Sequence, residues 1–117
     1  MTIRVDATKQ QLANTYTTLG TFLGVTTSDP GADPAQSPYP EPAGGMRVAT
    51  TWQTGIEPGV MQGTPCLLQY DSVGTVDFAI LCSQASGPTM IDNCPIASAD
   101  LDATNGQIVL TPTYTQT

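Results

Sequence analysis

The sequence predicts a mainly β fold: a single-domain antiparallel β-sandwich, jelly-roll-like, with one N-terminal α-helix. Three observations predict it. Only one segment, near the start, carries apolar residues at helical intervals. Beyond residue 45, short runs of β-branched and aromatic residues alternate with Gly- and Pro-rich turns, as in sandwiches and barrels. The length of 117 residues suits one core, because folding at this size buries roughly two-thirds of the unfolded surface.

The helix is expected over 6–20. Val5, Leu12, Tyr16, Leu19 and Leu23 recur at three-, four- and seven-residue intervals and so share one helical face. Asp6 is placed to cap the N-terminus by accepting from free amides, and Gly20 to end the helix in a left-handed turn. The β-branched and aromatic run 21–27 predicts a first strand.

Composition then changes. Ser28-Asp29-Pro30-Gly31 is a turn signature: an Asp that bonds forward, a Pro that fixes φ, then a permissive Gly. Pro34, Pro38, Pro40 and Pro42 follow, and proline lacks the donor that a helix or an inner strand needs. Residues 28–45 are therefore expected to form a Pro-rich loop. A loop this long needs contacts to order it, and neighbouring subunits are the expected source.

The remainder, 46–117, is expected to supply the sandwich strands. They fall at 46–52, 66–70, 75–82, 89–94 and 107–114, with turns at 71–74, 83–88 and 104–106. Val76, Phe78, Ile80 and Cys82 share one face of the 75–82 strand. The glycine-rich stretch 53–63 is expected to be a loop carrying a short irregular strand.

Charge narrows the function classes. The chain carries 10 acidic and 3 basic residues, Arg4, Lys9 and Arg47, for a net charge of -7, and has no histidine. Three cations cannot neutralise a run of phosphates or hold an anionic membrane, which argues against nucleic-acid and membrane partners. Without histidine there is no Ser-His or Cys-His nucleophile pair and no imidazole ligand for zinc. No apolar run approaches the roughly 20 residues of a membrane-spanning helix. The opening residues 1–6 lack a signal-peptide core, so assembly in a cytoplasm is the expectation.

Cys66, Cys82 and Cys94 are widely spaced and form no C-x-x-C motif. In a reducing compartment they are expected to be small buried hydrophobes; the rival arrangement is a Cys82–Cys94 disulfide with one free thiol. Asp100, Asp102 and Asn105, and separately Asp29 and Asp33, offer oxygen ligands for calcium, but neither set matches the twelve-residue calcium loop. Solvated turn aspartates are the preferred account, and no metal or cofactor is expected. Asp71 and Asp77 form the one carboxylate pair considered for glycoside hydrolysis. A chain with one Trp, four Tyr and two Phe lacks the aromatic wealth of a sugar cleft, so no enzyme is expected. Trp52 is expected to be a core anchor rather than an exposed ligand platform.

Threonine occupies roughly one position in six, about three times ordinary usage. Strands tiled with hydroxyls and nearly free of charge have little protection against association, since edge lysines normally provide it. Lys9 is the single lysine. Packing against copies or partners is the natural expectation.

The run Leu19-Gly20 through Thr27-Ser28-Asp29-Pro30-Gly31 resembles the "LG…L-H-T-A-D-P-G" segment of small proteins of actinobacteriophages and related prophages. Met46-Arg47-Val48-Ala49-Thr50-Thr51-Trp52 is similar to their "Y-A-R-x-x-x-T-W" strand. Gly106-Gln107 through Thr111-Pro112-Thr113-Tyr114-Thr115 is similar to their terminal "G-Q-x-x-x-T-P-T-Y-T". The family's His stands as Thr26 or Thr27 here, and the cysteine-bearing middle matches poorly. The resemblance implies a minor tail or tail-tip/fibre-associated virion protein, assembled in the host cytoplasm. Its expected partners are other virion proteins and its own copies, as a trimer or hexamer. The residues expected at such interfaces are Pro34, Pro38, Tyr39, Pro40, Pro42, Trp52 and Tyr114. The alternatives are a capsid decoration protein and a carbohydrate-binding module that adheres to host cell-wall polysaccharide.

Overall fold

The computed structural model describes residues 2–71, 74–101 and 106–117. One helix, α1 (Asp6–Leu19), precedes nine strands: β1 (Phe22–Thr26), β2 (Val48–Ala49), β3 (Trp52–Thr54), β4 (Val60–Gly63), β5 (Cys66–Gln69), β6 (Gly74–Cys82), β7 (Met90–Leu101), β8 (Gln107–Leu110) and β9 (Thr113–Thr115). Every strand pair is antiparallel. The fold is mainly β and sandwich-like, with sheets ordered β2-β1-β6-β7, β3-β4-β9 and β5-β8.

The four-stranded sheet is the middle layer, and its alternation sorts the core into two sides. Leu23 pairs with Leu81 and Val25 with Ala79, so these point to one face. There they meet Cys66, Leu68 and Tyr70 of the β4–β5 run. Phe22, Ile80, Cys82 and Met90 point the other way and are covered by Tyr39 from the Pro-rich loop. A bulge between Val76 and Phe78 returns Val76 to the first face, beside Val25.

The covering layer is a long ribbon. Gly63 donates to the Pro112 carbonyl and Cys66 lies opposite Leu110, which leaves Thr64 and Pro65 facing Thr111 alone. With that one bulge, β4–β5 runs antiparallel to β8–β9. Proline explains why the expected strand 107–114 appears as two pieces: Pro112 has no amide to donate. The expected strand 46–52 is likewise split at Thr50 and Thr51, where the chain crosses from one layer to the other. Thr50 donates its amide to Thr21 and its hydroxyl to the Thr64 carbonyl, which satisfies a buried polar residue at the crossing.

β7 runs seven residues beyond the expected end at Cys94. Pro95 suggested a stop there, but β7 is an edge strand, where a missing donor costs no ladder bond. Of the expected turns, Ser72 and Val73, and Thr104 and Asn105, lie outside the described residues. So does Asp102.

The helix corrects three expectations. Val5, in extended conformation, is the N-cap and offers no side-chain acceptor; Asp6 is already helical and acts only through its charge in the first turn. Gly20 has φ -170, an extended conformation, so no left-handed stop forms. The stripe Val5, Leu12 and Leu19 faces solvent, and the helix packs instead through buried Ala13 and half-buried Gln10 and Tyr16. Gln10 fixes this rotation: its amide donates to Met61 Sδ at 3.3 Å and its carbonyl accepts from Gly59 N at 3.1 Å. Leu23 lies in β1, beyond the helix.

The Pro-rich loop is held by its own chain, not left for a neighbour to order. Asp29 Oδ1 accepts from Gly31 N, and Gly31 has φ 82, which is the turn the sequence signals. Thr27 N donates to the Pro40 carbonyl, Asn93 Nδ2 to the Gly31 carbonyl, and Asp71 N to the Ala43 carbonyl. The Tyr39 hydroxyl donates to the Pro34 carbonyl and accepts from Met90 N. Arg47 closes the loop over the sheet. Gly24 leaves room for it, since a Cβ there would lie 3.0 Å from the Glu41 carboxylate and 3.2 Å from Arg47 Cγ.

Candidate functional site

Two features outside the packed core are candidates for function: a half-open cleft between the layers and a set of exposed apolar side chains. The cleft, of about 260 Å³, has a floor of Ala79, Leu81, Asp92 and Cys94 on β6 and β7. Its walls are Tyr16 of α1, Trp52 of β3 and the stretch Leu110–Thr115. The rings of Tyr16 and Tyr114 stack at 3.7 Å, and Tyr16 meets Trp52 edge-on at 6.4 Å. Tyr16 donates its hydroxyl to Asp92 Oδ2 at 2.9 Å, and Trp52 Nε1 donates to the Gly20 carbonyl at 3.1 Å. Burial, and then the neighbouring Asp92 carboxylate, hold the Tyr16 phenol protonated well above its ordinary range.

The expected interface residues divide accordingly. Trp52 and Tyr114 meet at the cleft, half-buried, with Trp52 anchoring the helix end as a core residue would. Pro34 and Pro38 are exposed, while Pro40 and Pro42 are half-buried. Tyr39 is removed from the set, because it is buried against Ile80, Cys82 and Met90 within its own chain. Tyr16, Asp92 and Asn93 join the cleft without a signal in the sequence, since they come from elements 76 residues apart at the Tyr16–Asp92 bond.

Arg47 is the other residue whose role the sequence conceals. Its guanidinium donates to Glu41 Oε1 at 2.8 Å, to the Gln84 and Gly87 carbonyls at 3.2 and 3.1 Å, and to Thr89 Oγ1 at 3.3 Å. It also lies 5.4 Å from the centre of the Tyr39 ring. Burial is the largest single influence and opposes the charge, but the bond to Glu41 together with the nearby Cys82, Glu41 and Tyr39 groups outweighs it, and the guanidinium is held more firmly protonated. This constellation staples the Pro-rich loop to the β6–β7 turn.

All three cysteines are free. Cys66 and Cys82 are buried, but Cys94 is exposed, against the expectation for all three. A Cys82–Cys94 disulfide has no geometry, because Cys94 pairs with Ala79 and points to the opposite face of the sheet from Cys82. Burial pushes the Cys82 thiol up to about 11, and Cys66 and Cys94 are raised in the same direction.

Of the residues in the candidate acidic sites, Asp29 and Asp33 serve turns and Asp77 and Asp100 bond across β6 and β7, while Asp102 and Asn105 lie outside the described residues. Asp29 and Asp33 accept from the amides two residues on, at Gly31 and Ala35. Asp77 accepts from Ser98 Oγ and Asp100 from Thr75 Oγ1. Among the described residues, no group of three Cys, Asp or Glu side chains converges in a way that would hold a metal ion. No described helix is long and apolar enough to cross a membrane.

Exposed apolar residues form the second feature. Val5, Leu12 and Leu19 line the outer side of α1, and Ile91 of β7 lies against Gly20 beyond its end. Ile56, in the turn between β3 and β4, is 96% exposed. Leu67 and Val109 are cross-strand partners on the outer face of the ribbon, 52% and 61% exposed. Comparison with protein-family models, with curated proteins and with solved structures finds no match to this chain.

Proposed function

We propose that this chain is a non-enzymatic structural protein of a phage virion, a minor tail or tail-tip/fibre-associated component that works by packing against its own copies and neighbouring virion proteins. The observation that carries this reading is the exposed apolar set. Val5, Leu12 and Leu19 lie on one side of the helix, and Leu67 and Val109 lie side by side on the ribbon. Scattered exposed apolar residues need no explanation, but runs aligned along one helix side and one sheet face suit contacts. The chain's single lysine leaves these strands without the usual protection of their edges. Resemblance of the 19–31, 46–52 and 106–115 segments to actinobacteriophage tail proteins supplies the virion context. Self-association as a trimer or hexamer would give a tail component multivalent contacts.

The experiment is mass spectrometry of purified particles from the phage or prophage that encodes the chain, followed by gold-labelled antibody imaging. Label on the tail supports the reading, and label on the head replaces it with capsid decoration. Absence from particles overturns both. The cleft favours one second reading, a carbohydrate-binding adhesion module, because Tyr16, Trp52 and Tyr114 border a space of sugar size beside the Asp92 carboxylate. Sedimentation of the protein with host cell-wall polysaccharide, lost in Trp52→Ala and Tyr114→Ala variants that remain folded, would favour it.

A further inference from the structure

We infer that the cleft between the layers seats a lysine side chain of a neighbouring protein, with the ammonium on Asp92 and the aliphatic stem against Tyr16, Trp52 and Tyr114. This deepens the association reading above and rests on its hetero-association half alone.

What a ligand meets in the cleft depends on which polar groups are already used. The Trp52 indole donates to the Gly20 carbonyl, the Tyr16 hydroxyl to Asp92 Oδ2, and the Tyr114 hydroxyl to Gln116 Oε1 at 2.6 Å. The Asn93 side-chain nitrogen is turned to the Gly31 carbonyl. The aromatic lining therefore offers ring surface and no free donor. Asp92 is the opposite case, because an ionised carboxylate only accepts, at about four lone-pair sites. Tyr16 occupies one at Oδ2 and the Asn93 amide one at Oδ1, each at 2.9 Å. Roughly two stay open. An occupant that donates is selected, and one that brings acceptors alone is not.

Charge selects further. The lining holds no lysine or arginine, and among the described residues the one ion pair is that of Arg47 with Glu41. The Asp92 charge is therefore uncompensated, and after burial it is the next influence that keeps the Tyr16 phenol and the Cys94 thiol protonated. A protein of net charge -7 also draws cations toward its surface. The Tyr16 and Trp52 rings stand at 76°, and Tyr114 lies on Tyr16 at 11°, so the rings form two walls near a right angle. Such a corner beside a carboxylate attracts a cation through the ring quadrupoles as well as through the charge.

Lysine fits because its charge stands at the end of an apolar stem. Ala79, Leu81, Ile96, Leu110 and Pro112 give the rest of the lining its apolar character, and four methylenes can lie there while the ammonium reaches exposed Asp92. The space of about 260 Å³ falls below the roughly 300–1,000 Å³ of pockets for drug-sized ligands and suits a single side chain. The ammonium comes from a different protein. Lys9 is this chain's only lysine, and it is half-buried with its Cβ packed against Gly59, so a second copy is poorly placed to supply it.

Titration of the full chain with Nα-acetyl-lysine methylamide tests the inference, read by the fluorescence of Trp52, the sole tryptophan, and by amide NMR shifts of Ala79, Asp92 and Tyr114. Binding should saturate with a Kd on the order of 1 mM for a ligand of this size. The norleucine analogue, which keeps the stem and lacks the ammonium, should bind about tenfold more weakly; this comparison uses the wild type and so stands apart from any folding defect. Asp92→Asn should weaken lysine binding about tenfold, whereas Asp77→Asn, outside the cleft lining, should leave it unchanged. Raising NaCl from about 20 to about 300 mM should weaken it as well. Equal binding of the norleucine analogue, an unaffected Asp92→Asn, or no saturable change up to about 50 mM lysine derivative each overturns the inference. Tighter binding of glucosamine than of the lysine derivative overturns it too, and assigns the cleft to an amine-bearing polysaccharide. None of these outcomes touches the proposed virion role, because detection of the chain in particles does not depend on the cleft. Lysine binding by a chain absent from virions would keep the cleft assignment and overturn the virion reading.

Discussion

Replacing Arg47 with alanine tests the account of how the Pro-rich loop is held. The residue is 7% exposed, and its removal strands the Glu41 carboxylate together with the Gln84 and Gly87 carbonyls. Breaking a buried ion pair from one side costs about 3–5 kcal/mol. Glu41 retains 28% of its side-chain surface in water, and the two carbonyls lie in a surface turn, so all three rehydrate in part. That places the expected loss near 3 kcal/mol. At about 2.1 cal/mol/K of unfolding entropy per residue, the chain loses roughly 12 °C of melting temperature. Thermal unfolding followed by circular dichroism measures it directly. Proteinase K should also cut within residues 28–45 faster in the variant, because the loop that buries the Tyr39 ring is released. Arg47→Lys keeps the charge but not the planar fork, and should lose most of the same stability. Arg47→Met combined with Glu41→Gln should recover part of it, since no charge is left unpaired. A melting temperature for Arg47→Ala within about 3 °C of the wild type would refute the reasoning.

Tyr114→Ala removes the ring stacked on Tyr16 and should cost about 2–3 kcal/mol in urea unfolding, whereas Tyr16→Phe, which loses only an exposed bond to Asp92, should cost less than about 1 kcal/mol. Thiol labelling of the native protein should modify Cys94 quickly and Cys66 and Cys82 only on unfolding; equal rates for all three would contradict their burial. Stability should fall as pH rises. The Cys82 thiol goes from an ordinary 9.0 up to about 11 in the fold, so the native state holds a proton there that the unfolded chain has shed, and the loss accrues between those values. Tyr16 and Tyr70, also raised by burial, should ionise above the ordinary 10.0 in a spectrophotometric titration and add to the alkaline loss. Leu12→Glu and Leu19→Glu on the outer helix side should change stability by no more than about 0.5 kcal/mol while reducing association.

The sequence by itself determined the element types: a helix where apolar residues recur every three or four positions, strands where they alternate, and a loop where five prolines remove donors. The Asp29-Pro30-Gly31 turn was equally legible, because its geometry depends on three adjacent residues. Wherever an outcome depended on a distant partner, local pattern misled. The helix rotated Leu12 and Leu19 outward because Gln10 and Tyr16 find Gly59 and Tyr114 on the ribbon. β7 continued past Pro95 because it lies at an edge, and edge position is a property of the sheet, not of the strand. Arg47 is one of three cations in the sequence and nothing in its neighbours marks it, yet folding brings Glu41, Gln84, Gly87 and Thr89 to its guanidinium. The cleft likewise belongs to tertiary structure alone. Alternation along one strand sets which side chains point inward, but only the stacking of the layers decides that Leu101 of β7 is buried while Asp92 and Cys94 line the cleft.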